Sequence, residues 1–125
     1  MSQLPENLRY ADTHEWALLE GDTVRVGITD YAQQQLGDVV YIELPELGQR
    51  FRQGDACAVI ESVKAASDIH CPLSGEIVAV NPAARDAPET INEAPYACWL
   101  FCVKADDPAE LAKLLDAKTY AQQLD

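Results

Sequence analysis

Glu61-Ser62-Val63-Lys64-Ala65-Ala66-Ser67-Asp68 separates two runs that are predicted to be β-strands. The first run is Ala56-Cys57-Ala58-Val59-Ile60 and the second is Ile69-His70-Cys71-Pro72. Two strands joined by a short segment predict a β-hairpin. The small residues after Lys64 suit a tight turn with no bulky neighbour. We therefore predict that Lys64 stands at a hairpin tip, that it is a modification site, and that the rest of the chain presents it.

Further strands are predicted on both sides of this hairpin. Val24, Val26 and Ile28 alternate on one face of a run that follows the turn Glu20-Gly21-Asp22, which is a hairpin pattern. The other predicted strands are His14–Leu19, Val39–Leu44, an extended piece within Leu47–Asp55, Glu76–Val80 and Trp99–Val103. Two prolines between Asn81 and Glu89 predict a loop there.

Two helices are predicted. The first runs from Tyr31 to Leu36, with Asp30 as its N-cap and Gly37 just past its end. The second follows Asp107, and Leu111, Leu114, Leu115 and Tyr120 form its apolar stripe. Many short strands with a terminal helix predict a mainly β single domain, a sandwich or flattened barrel. Its core spans about residues 7–104 and its C-terminal helical region about 107–124.

The composition excludes several classes of partner. The chain has 125 residues and a formal net charge of −12. Nucleic acids and anionic lipids both favour a basic protein surface, so we expect neither as a partner. No apolar run reaches the length of a membrane span. The N-terminal residues have no signal-peptide or transit-peptide pattern, so we expect a cytoplasmic protein.

The side chains near Lys64 do not predict catalysis. Glu61 and Asp68 would keep the lysine amine charged, which disfavours a Schiff-base role. His70 and Cys71 are adjacent in a strand and therefore point to opposite faces, which disfavours a Cys-His nucleophile pair. We predict no catalytic residue and no metal site. A lone lysine on a turn is most often a solvated surface charge, so the turn by itself does not establish modification of Lys64.

The four cysteines are Cys57, Cys71, Cys98 and Cys102. None forms a Cys-x-x-Cys pair, and Cys98 and Cys102 lie four apart in a predicted strand, roughly 13 Å from each other. That separation is too long for a disulfide or shared metal ligation. We expect all four to be reduced and mostly buried.

The Lys64 segment, with the residues that follow it, resembles the lipoyl-lysine segment of the H protein of the glycine cleavage system. The likeness covers roughly residues 7 to 121. Besides Glu61–Ile69, it rests on Pro72, Ser74–Val78 and Asn81. Further matches in family order are His14-Glu15-Trp16, Gly27-Ile28-Thr29, Ala32-Gln33, Leu36–Val40, Leu44-Pro45, Gly48, Gly54-Asp55, Pro88-Glu89, Asn92, Pro95-Tyr96 and Trp99.

The resemblance implies a lipoyl/biotinyl-type barrel-sandwich hybrid fold and a carrier with no catalysis of its own. Lys64 would carry lipoate through an amide bond, added by a lipoate-attaching enzyme. The arm would take the aminomethyl group of glycine from glycine decarboxylase (the P protein) to the aminomethyltransferase (the T protein). Dihydrolipoyl dehydrogenase (the L protein) would then reoxidise the dithiol. The resemblance also implies a cleft that shelters the loaded arm, formed by Thr13, Glu15, Tyr31 and Asp68.

Some alternatives and departures remain. The chain could relay lipoate to other carriers or serve a 2-oxo acid dehydrogenase as a lipoyl domain. Biotin carriers are disfavoured because they have methionines around the lysine. Glu15 either pairs with the ammonium of the loaded arm or is a surface charge at a strand edge. The turn from Pro95 to Trp99 lacks the family's glycine, Tyr31 replaces a histidine of some relatives, and the four cysteines are outside the family pattern.

Overall fold

The structure is a computed structural model that describes residues 4–124. Within these residues the chain forms nine strands and four α-helices. The strands are β1 (Arg9–Tyr10), β2 (Glu15–Glu20), β3 (Thr23–Ile28), β4 (Val39–Glu43), β5 (Arg50–Phe51), β6 (Ala56–Ser62), β7 (Ala66–His70), β8 (Gly75–Val80) and β9 (Phe101–Ala105). The helices are α1 (Asp30–Leu36), α2 (Pro82–Asp86), α3 (Thr90–Glu93) and α4 (Ala117–Leu124), and a 3₁₀ helix spans Pro108–Lys113.

Two antiparallel sheets enclose the main core. The six-stranded sheet has the order β1-β2-β3-β9-β8-β5, and the three-stranded sheet has the order β4-β6-β7. Alternation along β3 buries Val24 and Val26, which pair in register with Val103 and Phe101 of β9. Residues from the second sheet, such as Ile60, belong to the same buried cluster. The predicted mainly β sandwich is therefore confirmed.

A second, smaller cluster joins the C-terminal helix to the six-stranded sheet. Its buried members are Leu8, Tyr10, Trp16 and Tyr120. The rings of Tyr10 and Tyr120 stack with their centroids 4.8 Å apart and an interplanar angle of 9°. Tyr10 also forms an isolated antiparallel bridge with Leu115. The C-terminal helix is thus fixed to the edge strand by side-chain contacts, and the segment just before it by a backbone bridge.

The region predicted as a loop between Asn81 and Glu89 contains α2, so that prediction was wrong. Asn81 caps the helix by accepting a hydrogen bond from the Ala83 N–H at 3.2 Å, and Pro82 occupies the first turn. A proline is tolerated there because the N–H it lacks would have no helical partner. Pro82, one of the two prolines that exclude a central strand, therefore starts a short helix.

The predicted C-terminal helix is two elements. The 3₁₀ helix ends at Lys113, an extended segment that includes Leu115 pairs with Tyr10, and α4 then begins at Ala117. Leu111, Leu114, Leu115 and Tyr120 therefore do not share one helical stripe. In the first helix the N-cap is Thr29, one residue before the predicted Asp30. None of the helices within residues 4–124 is long and apolar enough to cross a membrane.

Candidate functional site

Lys64 lies in a hydrogen-bonded turn between β6 and β7. The last paired residues of the two strands are Glu61 and Ala66. The Ser62 N–H donates to the Ala65 carbonyl at 2.8 Å, and the Ser62 hydroxyl oxygen accepts hydrogen bonds from the N–H groups of Lys64 and Ala65 at 3.2 Å each. These bonds fix the backbone of the turn while the Lys64 side chain stays exposed. The structure therefore places Lys64 at a rigid tip.

The segment after α1 contacts both the backbone and the lysine side chain of this turn. Gly37 ends the helix at φ +76°, and a Cβ atom built on it would lie 2.9 Å from Lys64 Cε. The Val63 N–H donates to the Asp38 carbonyl at 3.0 Å. The aliphatic stem of Lys64 consequently passes directly over a glycine, at a position where a larger residue would displace it.

Asn92 on α3 fastens the supporting segment. Its Oδ1 accepts a hydrogen bond from the Val39 N–H at 2.9 Å, and its Nδ2 donates to the Gly37 carbonyl at 2.8 Å and to Gln33 Oε1 at 3.1 Å. The sequence indicates Asn92 only as a match to the family pattern, because its contacts depend on a helix that no local pattern predicts. The side chain therefore connects α3 to the support of the lysine turn.

A cleft of about 450 Å³ opens beside the lysine turn. Three of the four residues expected to shelter an arm line it, namely Thr13, Tyr31 and Asp68. The remaining lining residues are His14, Ile28, Ala32, Gln35, Leu36, Ala65, Ala66, Ser67 and Ile69. The structure thus brings Thr13, Tyr31 and Asp68 together on the side of the molecule that carries Lys64.

Glu15 lies deeper and lines a different cavity. That cavity measures about 250 Å³ and shares Thr13 with the cleft. Glu15 is 1% exposed, so the alternative of a surface charge at a strand edge was wrong. Its carboxylate accepts hydrogen bonds from the Thr13 hydroxyl and from the His70 N–H at 2.9 Å, and His70 Nδ1 lies 3.6 Å from Glu15 Oε2. Burial raises the pKa of Glu15, while these donors and His70 act in the opposite direction.

The glycine cleavage H-protein family model matches residues 8–125. The chain belongs to the glycine cleavage H-protein family. A glycine cleavage system H protein of Methylococcus capsulatus is 61% identical over 121 residues, which cover 96% of this chain and 95% of the relative. A glycine cleavage system H protein 2 of Pseudomonas aeruginosa is 56% identical over 126 residues, covering 100% of this chain and 98% of the relative.

A solved structure agrees with this assignment. The crystal structure of a glycine cleavage system H protein from Mycobacterium marinum superposes with a TM-score of 0.89 at 42% identity, covering 97% of this chain and 98% of that one. The expected family and fold are therefore confirmed. As a member of the H-protein family, the chain is a carrier subunit of the glycine cleavage system.

The turn that departs from the family pattern is closed without a glycine. The N–H groups of Ala97 and Cys98 both donate to the Ala94 carbonyl, at 3.1 and 2.8 Å. The Trp16 indole N–H donates to the Pro95 carbonyl at 3.0 Å, and the Tyr96 hydroxyl accepts from the Asp30 N–H at 3.1 Å. This H-protein turn is thus tied to β2 and to the start of α1.

The cysteines are separate from the lysine turn. All four are free thiols, with Cys71 and Cys98 buried. Cys98 lies before β9, so the prediction that it shares a strand with Cys102 was wrong. A hydrogen bond with Cys71 and burial together raise the pKa of the Cys57 thiol, and burial raises the pKa of Cys98. Among residues 4–124, no three His, Cys, Asp or Glu side chains are grouped so that they could hold a metal ion.

Proposed function

We propose that Lys64 is the lipoyl attachment site and that this chain carries the aminomethyl group of glycine on the lipoyl arm. The observation that supports the proposal is the exposed lysine on a hydrogen-bonded turn, beside a cleft that could receive an arm. Within residues 4–124 no carboxylate pairs with the Lys64 amine, so the amine is free for acylation. Bound lipoate would supply the redox-active disulfide that accepts the cargo.

The residues around the turn fit a covalently attached arm. Ala65 and Ala66 follow the lysine and line the cleft, so small side chains border the path along which an arm would fold back. The fixed backbone from Ser62 to Ala65 gives an attaching enzyme a defined target. Gly37 leaves room for the Lys64 stem, because a side chain at this position would collide with it. The chain's own contribution is thus attachment, presentation and shelter.

The polar residues near the cleft suit a cationic cargo. Asp68 and the Thr13 hydroxyl line the cleft, and Thr13 connects it to the buried carboxylate of Glu15. We infer that the ammonium of a loaded arm approaches this side and is held by Asp68 and the Thr13 hydroxyl oxygen, with Tyr31 packing against the arm. Glu15 would act through Thr13, whose hydroxyl hydrogen it accepts. Exclusion of water there would slow loss of the cargo before transfer.

The partners that follow from this role are four enzymes. They are glycine decarboxylase, the aminomethyltransferase, dihydrolipoyl dehydrogenase and a lipoate-attaching enzyme. A tethered arm raises the local concentration of its cargo wherever the carrier docks. The carrier itself performs no catalysis in this proposal, and it works where these partners work, in the cytoplasm.

The test is the intact mass after incubation with a lipoate-attaching enzyme, ATP and lipoate. The wild-type chain should gain one lipoyl group, and Lys64→Arg should gain none. Lys104→Arg is the control, because that exposed lysine lies on β9 in the other sheet. Equal modification of Lys64→Arg and wild type would refute the site. Lipoylation without loading by glycine decarboxylase would favour the lipoate relay or the 2-oxo acid dehydrogenase role.

A further inference from the structure

His14 has a backbone conformation that needs external support. It has φ +79°, and no other non-glycine residue within residues 4–124 has a positive φ. This left-handed region is unfavourable for a residue with a Cβ, and it persists where the surroundings hold it. The His14 N–H donates to the Ala11 carbonyl at 2.9 Å, and the His14 carbonyl accepts from the Thr29 N–H at 3.0 Å. The ring lines the cleft beside Lys64.

The side chain that holds His14 comes from the C-terminal helix. The Tyr120 hydroxyl lies 2.6 Å from His14 Nδ1 and 2.8 Å from the Thr29 hydroxyl. Tyr120 is fully buried, and its ring is stacked on Tyr10. Thr29 also caps α1 by accepting a hydrogen bond from the Ala32 N–H at 3.2 Å. One hydroxyl group therefore joins two walls of the cleft, the loop that carries His14 and the helix that carries Tyr31.

One arrangement of the hydrogens in this network satisfies every group and assigns a tautomer to His14. Thr29 Oγ1 accepts from Ala32, so its own hydrogen is free to bond Tyr120 Oη. The Tyr120 hydrogen then bonds His14 Nδ1, and every group in the chain is satisfied. Burial lowers the pKa of His14 despite the opposing charge of Asp12, which favours the neutral ring. With Nδ1 acting as the acceptor, the ring proton resides on Nε2.

We propose that Tyr120 is a positioning residue that fixes His14 in its left-handed conformation and its Nε2–H form, and thereby sets the wall of the arm-sheltering cleft. This inference rests on the proposed function of the chain. It gives α4 a role in carriage although α4 contributes no residue to the cleft lining. The ring of His14 also contacts Tyr31, with centroids 4.8 Å apart, so a displaced His14 would disturb the opposite wall as well.

The first test measures how fast the loaded arm loses its cargo in water. Water attacks the methylene carbon, the carbon–sulfur and carbon–nitrogen bonds break, and the sulfur takes up a proton, so the products are thiol, formaldehyde and ammonium. Formaldehyde release is followed on lipoylated, loaded protein without the aminomethyltransferase. Tyr120→Phe keeps the ring stacking and removes the hydroxyl with its hydrogen bonds to His14 and Thr29. We expect about tenfold faster release, because the cleft wall loses these two buried hydrogen bonds.

Tyr10→Phe is the matched control, because it keeps the same ring stack and removes a hydroxyl that donates to the Pro5 carbonyl. Its release rate should stay within twofold of wild type. Asparagine tolerates the left-handed conformation, so His14→Asn should fold. It should accelerate release as much as Tyr120→Phe does, and it tests the proposal if Tyr120→Phe does not fold. Wild-type release rates in Tyr120→Phe or in His14→Asn would overturn the proposal. Equal acceleration in Tyr10→Phe would also overturn it, because it would indicate general loosening.

The second test is spectroscopic and independent of the cargo. Long-range ¹H–¹⁵N spectra distinguish the imidazole tautomers, and the chain has only two histidines, His14 and His70. We expect His14 to be the Nε2–H form in wild type and in Tyr10→Phe, and a mixture in Tyr120→Phe. An unchanged tautomer in Tyr120→Phe refutes the inference. Failure of wild type to be lipoylated or loaded would instead refute the proposed function, so the two failures are distinguishable.

Discussion

Replacing Asn92 by Ala should destabilise the support of the lysine turn more than its position on a four-residue helix suggests. The change removes the acceptor of the Val39 N–H and the donor to the Gly37 carbonyl. Val39 is 4% exposed, so water cannot readily replace the lost partner. A net hydrogen bond contributes about 1 kcal/mol, and an orphaned buried group costs about 1–3 kcal/mol. We therefore expect a loss of about 2–3 kcal/mol in the free energy of unfolding.

Urea unfolding followed by circular dichroism measures this loss, with the slope m unchanged if the transition stays two-state. Asn92→Asp keeps the acceptor for Val39 but loses both donated hydrogen bonds, so it should be intermediate. Glu93→Ala, an exposed neighbour on the same helix, should change stability by less than about 0.5 kcal/mol. A loss below that value in Asn92→Ala, or equal losses in both alanine variants, would refute the account of how the turn is supported.

Three further predictions concern the glycine beside Lys64, the glycine that packs against Trp16 and the buried carboxylate of Glu15. Gly37→Ala should slow lipoylation of Lys64 several-fold, because its Cβ would lie 2.9 Å from Lys64 Cε. Gly48→Ala, at a similar positive φ but with open space around the Cβ, should not slow it, and equal rates in the two variants would contradict this reasoning. Gly27→Ala should lower the free energy of unfolding by about 1–3 kcal/mol, because its Cβ would lie 2.6 Å from the Trp16 ring. An unchanged urea midpoint would contradict the close contact between Gly27 and Trp16. Burial raises the pKa of Glu15. The free energy of unfolding of wild type should therefore be highest relative to that of Glu15→Gln in acid, and this advantage should be lost as the pH rises through the raised pKa. A difference in urea unfolding that does not change between pH 4 and pH 8 would contradict this prediction.

The hairpin around Lys64 was predictable because strand alternation and the small residues of the turn are both local signals. The same holds for β3, whose buried residues alternate. The helices α2 and α3 were not predicted, because Pro82 and Pro88 suggested only the absence of a strand and each helix is very short. The break at Leu115 was also missed, since its cause is a backbone bridge to Tyr10 that is distant in sequence.

The candidate site also contains residues that were predictable from the sequence and residues that were not. Lys64 was predicted at a hairpin tip from the residues of its turn, and its lipoyl role came from the family resemblance. Thr13, Tyr31 and Asp68 came from the resemblance alone, and the structure places these three in one cleft beside the lysine turn. The burial of Glu15 was not predictable, because a carboxylate at the start of a strand gives no local sign of a core position and its partner His70 is distant in sequence. The roles of Asn92 and Tyr120 depend on contacts over 53 and 91 residues, which no local pattern reports.

The central claim is that Lys64 carries the aminomethyl group of glycine on a lipoyl arm. The most direct measurement is the intact mass of the lipoylated chain after incubation with glycine decarboxylase and glycine, with digestion to locate the added group. The account predicts a gain in mass that depends on both glycine and lipoate and that maps to the peptide containing Lys64. A lipoylated chain that gains no mass with an active decarboxylase, or a gain that persists in Lys64→Arg, would contradict it.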